Sequence, residues 1–146
     1  MNHFDQLGKQ VSEMDDLLDS WVKKLGINYH HFAVLYSLSH AENGQCTQKQ
    51  IGEEWYVPKQ TIFNICKEYR EKGWIEFFES QSDKREKMMR LTELGKQQAE
   101  PIYQATIALF EKIFNTLGKQ KTTQLFTLIG ELNQIWRAEI ENCDIM

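Results

Sequence analysis

Apolar residues recur every three or four positions along most of this chain, and in one segment the period shortens to two. Phe4, Leu7, Val11, Met14, Leu17, Leu18, Trp21 and Leu25 mark one face of an amphipathic helix that ends near Gly26. Tyr29 to His40 reads as a second helix with Phe32, Leu35, Tyr36 and Leu38 inward, and the polar stretch "AENGQC" reads as a loop. Thr47-Gln48-Lys49-Gln50 predicts a capping box: Thr47 accepts from the Gln50 backbone amide and the Gln50 side chain reaches back. The short third helix turns Ile51 and Trp55 inward, with Gly52 between them expected to let another helix cross closely. After a break at Tyr56-Val57-Pro58, a fourth helix runs to about Lys72 with Ile62, Ile65, Cys66 and Tyr69 at core spacing, capped by Gly73.

Trp74 to Phe78 has strand character. Lys87 to Leu91 alternates Met88 and Arg90 against Met89 and Leu91, so it suits a return strand, and "ESQSDKRE" is the turn between them. Thr92 caps a long fifth helix with its stripe at Ile102, Ala105, Leu109, Phe110, Ile113, Phe114 and Leu117. Pro101 is tolerated in an early turn or kinks it, and Gly118 ends it. A sixth helix carries Leu125, Leu128, Ile129, Leu132, Ile135, Trp136 and Ile140. The order of elements is helix, tight turn, a helix with polar early positions, then a hairpin with a charged tip. That is a winged helix-turn-helix, mainly α with a small β-hairpin wing. In such proteins the second helix of the pair enters the major groove, and the wing tip can reach a neighbouring minor groove or the phosphates.

Charge changes the picture only locally. The chain of 146 residues has a formal charge of −4, which by itself argues against nucleic acid. From Pro58 to Arg90, however, eight Lys/Arg face six Asp/Glu, while the remainder has nine against fifteen. The cations matter if the fold gathers them on one side. Cys46, Cys66 and Cys143 have no C-x-x-C spacing and suggest a reducing compartment. Neither an export segment nor a membrane-length apolar run is found, so a cytoplasmic protein without membrane contact is expected. His3, His30, His31 and His40 lack the spacing of a metal site; neither a metal nor a cofactor is expected. The chain carries no phosphate-binding glycine loop, nucleophile elbow or telling carboxylate pair, and no enzyme is expected.

The chain resembles the MarR-type transcriptional regulators over nearly its whole length. The resemblance is carried by "TQKQIGEEWYVPKQTIFNICKEYREKGWIEF" and "SDKREKMMRLTELG". Asp83 and Arg85 match D-x-R in the wing, and Leu91, Thr92 and Gly95 match L-T-x-x-G. The resemblance implies one chain over 1–146, with a DNA-binding lobe at 28–95 and a helical dimerisation lobe formed by 1–27 and 96–146. It implies a homodimer on palindromic double-stranded DNA, often released by a small ligand or an oxidant. It also sends the wing arginine into the minor groove, where a narrow A·T tract concentrates negative potential.

Lys59, Gln60, Thr61, Phe63, Asn64 and Lys67 of the fourth helix, Thr47 at the start of the third, and Asp83, Lys84, Arg85 and Lys87 of the wing are the candidate DNA contacts. Gln60 or Asn64 suits adenine N6/N7, and Phe63 suits a thymine methyl. Pro58 offers no side-chain cap, so a phosphate suits that amide-rich helix end. Read alone, these positions would also make an ordinary solvated face, and a winged-helix protein-interaction module is the alternative. Trp21, Lys24, Tyr29, His30, Phe32 and Tyr36 are candidates for an aromatic effector site, or plain core. Cys46, in a loop beside Lys49, is the candidate for oxidant sensing.

Overall fold

Asn2 starts the first helix by accepting the Asp5 amide on its side-chain oxygen, and α1 runs from His3 to Lys24. Asn28 does the same for His31 at the head of α2, Tyr29–His40. The computed structural model describes residues 1–145. A single 3-10 turn, Glu42–Gly44, leads into β1, Gln45–Cys46. Then come α3 (Gln48–Trp55), α4 (Lys59–Glu71), β2 (Ile75–Glu79), β3 (Lys87–Leu91), α5 (Glu93–Leu117) and α6 (Lys119–Asn142). The chain is mostly helical with one small antiparallel sheet in the order β1-β3-β2. No helix among the described residues is long and apolar enough to cross a membrane.

The third strand corrects the loop reading of "AENGQC". Gln45 pairs with Arg90 and Cys46 with Met89, so a two-residue strand closes the free side of β3. Hairpin pairing runs from Ile75–Leu91 at the root to Glu79–Lys87 toward the tip. Alternation then places Met89 and Leu91 in the core and leaves Arg90 exposed. Above the core, Arg90 Nε donates to Glu76 at 2.6 Å and its guanidinium lies 4.4 Å from the Phe78 ring centre.

The predicted capping box of α3 is present in both directions, with Thr47 N donating to Gln50 Oε1 at 2.8 Å and Gln50 N to Thr47 Oγ1 at 3.0 Å. Gly52 admits its own following turn rather than a crossing helix. A Cβ there would stand 3.3 Å from the Val57 carbonyl oxygen, and the Val57 amide donates back to Gly52 at 3.1 Å. Helix α5 continues through Pro101 without a break.

Two compact units make up the chain, residues 1–104 and 105–146. The first has a continuous buried core, with Val34, Leu35 and Leu38 of α2, Ile51 of α3, Ile62, Ile65, Cys66 and Tyr69 of α4, and Ile75, Met89 and Leu91 of the sheet. In the second, Phe114 lies 6.2 Å from Phe110 and 5.4 Å from Phe126, and α6 has no buried residue among those described.

The root of the hairpin is tied to the start of α5 by Thr92. Its backbone amide donates to the Trp74 carbonyl at 2.9 Å, and its hydroxyl donates to the Gly73 carbonyl. The same hydroxyl oxygen accepts from the Gly95 amide at 3.1 Å, and its carbonyl accepts from Lys96 at 2.9 Å. Gly95 must be glycine, because a Cβ would fall 1.9 Å from the Trp74 carbonyl oxygen.

Candidate nucleic-acid interface

Helix α4 is held by its apolar face, and that fixes what its other face offers. Ile62, Ile65, Cys66 and Tyr69 are buried, so Lys59, Gln60, Phe63, Asn64 and Lys67 stand on exposed surface. The turn before it is set by Val57, buried to 6% exposure, and by Tyr56 in the left-handed conformation at φ 53°. Pro58 gives α4 no side-chain cap, so its first amides stay open to an anion.

Between α4 and the wing lies a cleft of about 860 Å³. Thr47, Lys59, Phe63, Lys67, Asp83, Arg85 and Lys87 line it, all of them candidates from the sequence. Gln48, Lys49, Arg70, Phe77 and Glu86 complete it and were not anticipated as contacts. Six cations face two carboxylates there, a net +4 in a chain of net −4. Thr47 is largely enclosed, 4% exposed, with its hydroxyl engaged in the capping box.

Four candidates lie outside the cleft. Gln60 Nε2 donates to Asn64 Oδ1 at 3.1 Å, which couples the two amides on the exposed face of α4. Thr61 is half-buried, and Lys84 is exposed at the wing tip. At that tip Asp83 Oδ1 accepts the Arg85 amide at 3.0 Å and its Nε–H at 3.4 Å, while the Arg85 side chain stays 93% exposed. Ser80 N donates to the Glu86 carbonyl and Glu86 N to the Asp83 carbonyl, both at 3.1 Å, which closes the tip. Arg85 is thus oriented at its base and free at its end.

Three of the six effector candidates, Tyr29, Phe32 and Tyr36, belong to a packed ring cluster centred on Trp55, which points inward from α3 as its spacing predicts. The Trp55 ring centre lies 6.0 Å from Tyr29, 6.0 Å from Phe32 and 5.8 Å from Tyr36, all edge-on, and its Nε1–H donates to Ser37 Oγ at 2.7 Å. Tyr36 also meets Tyr103 at 5.2 Å. Burial raises the Tyr36 and Tyr29 phenols from their ordinary values, so both stay neutral. Phe32 is buried, Trp21 is half-buried, and Lys24 and His30 are exposed.

Cys46 is not the loop thiol that the sequence suggested. It is buried in β1, and burial, followed by the Glu54 carboxylate, pushes its thiol up to about 12. Thiolate character beside Lys49 is therefore corrected to a neutral thiol. Cys66 is likewise pushed up to about 12 by burial, and Cys143 is exposed. Among the described residues no cluster of His, Cys, Asp and Glu could hold a metal ion.

A MarR family model matches residues 25–86. The solved structure of NMB1585, a MarR family regulator from Neisseria meningitidis, is 37% identical, covers 97% of this chain and 99% of its own, and superposes with a TM-score of 0.86. The HTH-type transcriptional repressor IacR of Pseudomonas putida is 28% identical over 118 residues, 81% of this chain and 67% of that protein. The C80S mutant of MarR from E. coli, complexed with operator DNA, is 22% identical, covers 90% of this chain and 99% of its own, with a TM-score of 0.65.

Proposed function

Because the chain belongs to the MarR family of transcriptional regulators, we propose that it is a repressor that binds a palindromic operator as a homodimer. The cleft carries the reading. Its net charge of +4 sits between an exposed helix face and an oriented wing arginine, and the chain's acidic balance does not explain it. Lys59, Lys67, Lys87 and Lys84 are assigned to phosphates, Gln60, Phe63 and Asn64 to base edges, and Arg85, braced by Asp83, to the minor groove. Thr61 is assigned to the backbone at the flank of the helix. Thr47 supports the site by capping α3 and lining the cleft.

Two-fold symmetry supports the dimer. Palindromic half-sites about 34–36 Å apart need two α4 helices in fixed register. Leu128, Leu132 and Trp136 of α6 stand 43–63% exposed and suit burial against a second copy. IacR is named a repressor, which supports that sign of regulation here. An aromatic acid that releases DNA would have to part the rings of Tyr29, Phe32 and Tyr36 from Trp55, with Lys24 or His30 meeting its charge.

The test is selection of bound duplexes from a random pool, then affinity as a function of salt. The expected outcome is a palindromic consensus and log K falling by about 0.9 per phosphate neutralised for each unit of log salt. A protein-interaction module would show no such fall. Salicylate titrated into the complex, repeated with Tyr36→Phe, tests the effector site.

A further inference from the structure

We infer that Arg70 and Phe77 form a preorganised phosphate clamp joining α4 to the wing; this rests on the DNA-binding reading of the cleft and extends it to a pair that no motif marks. Arg70 lies in the last turn of α4, and Phe77 on β2. The guanidinium carbon sits 5.4 Å from the Phe77 ring centre, within cation–π reach, and both residues line the cleft. Phe77 is itself anchored, since it packs on the buried core.

What separates Arg70 from the other arginines of this region is its pairing. Arg85 is held by Asp83, and Arg90 by Glu76. Arg70 pairs with no carboxylate among the described residues, although Glu71 follows it directly and Glu68 stands two residues before it. A ring face restrains the guanidinium without consuming any of its five N–H donors. Side-chain freedom is therefore reduced before a ligand arrives, and the planar fork remains available for two oxygens of one phosphate. Lys67 and Lys87 line the same cleft and add to the field.

A simpler role competes with this one. A cation in the last turn of a helix interacts favourably with its carboxyl end. The two roles differ in what they move: the helix-end role changes stability, whereas the clamp changes counterion release.

The experiment measures affinity of the full chain for the selected duplex across a salt series, with melting temperatures alongside. Arg70→Ala should weaken binding and flatten the salt slope by about 0.9 per clamp engaged. Arg70→Lys should keep the slope but not the affinity, because the charge stays and the fork is lost. Phe77→Leu should keep the slope and weaken binding several-fold, because an apolar side chain fills the space without offering a π face. An unchanged slope in Arg70→Ala overturns the clamp, and a lowered melting temperature then assigns Arg70 to the helix end. Arg85→Ala separates this failure from that of the underlying reading. If it flattens the slope and Arg70→Ala does not, only the clamp fails. If the wild type shows no salt dependence, DNA binding fails and takes the clamp with it.

Discussion

The part of the first unit from α2 to the wing and the second unit, residues 105–146, solve the problem of apolar surface in opposite ways. From α2 to the wing the first unit buries its large side chains within itself; Phe32, Leu35, Leu38, Ile51, Ile62, Tyr69 and Met89 are each at or below 2% exposure, whereas Phe4, Val11, Met14 and Leu17 of α1 stand 47–75% exposed. In the second, Phe126, Leu128, Ile135 and Ile140 are 55–64% exposed on a helix with no buried residue among those described. Helical periodicity is equally clear in both. Period therefore marks which face is apolar and not what covers it. From α2 to the wing the cover comes from neighbouring elements of the same chain; on α1 and in the second unit the apolar stripe is left exposed.

The sharpest way to break this contrast is to charge the second unit. Leu128→Glu with Leu132→Glu should leave the far-ultraviolet spectrum of the first unit intact, convert a sedimenting dimer to monomer, and abolish tight binding to a palindrome. A wild type that sediments as a monomer while binding a palindrome fully would remove the contrast as a functional one. The reciprocal change lies in the first unit. Phe32→Ala should cost about 3–5 kcal/mol in denaturant unfolding, the range for deleting a buried aromatic. A protein-concentration-dependent midpoint is expected of the wild type, since association stabilises what it binds.

Local signals in the sequence carried most of the fold. The capping box at Thr47, the stripe of α4 and the alternation of β3 each act within a few residues, so their consequences could be read in order along the chain. What escaped depends on distant pairing. Strand β1 has two residues and no period of its own; it exists because Gln45 meets Arg90. Cys46 looked like a loop thiol for the same reason. Seven of the candidate contacts converge on the cleft because α4 and the wing tip were each legible. Arg70 was not, because it sits late in α4 and reaches the cleft only when Phe77 folds beside it. Lys49 and Gln48 were read as part of a cap, which hid their outward faces.

A smaller effect sharpens the first unit's side of the comparison. Thr92→Val keeps the shape but strips the hydroxyl from between Gly73 and Gly95. It should cost about 1–3 kcal/mol, the penalty for leaving polar groups unpaired, and Thr92→Ser should restore most of it. Equal stability of the two variants, measured by denaturant midpoint, would assign no weight to those bonds.

The smallest effect is chemical. Cys143 should react first with iodoacetamide near neutral pH, with Cys46 and Cys66 protected until the chain unfolds. The folded-state thiols at about 12 stand above their ordinary 9.0. Their neutral forms favour the fold below pH 9.0, and that contribution is lost as pH rises from 9.0 through about 12. Peroxide that displaces DNA from the wild type but not from Cys46→Ser would restore oxidant sensing through a buried thiol. Chromatographic peptide mapping after timed labelling resolves the order.

Thr92 carries one more consequence, in time rather than in energy. All four of its hydrogen-bonding groups are engaged, its amide and hydroxyl proton toward the hairpin root and its two oxygens toward the first turn of α5. The hairpin root cannot peel away while that turn stays formed, because one side chain closes both. In deuterium exchange the amides of Thr92, Gly95 and Lys96 should therefore open as one event with a shared rate, while the tip amides of Arg85 and Glu86 exchange on a faster clock of their own. A wing built this way has a tip held by its own short-range bonds, on a root that moves only when the helix behind it unwinds.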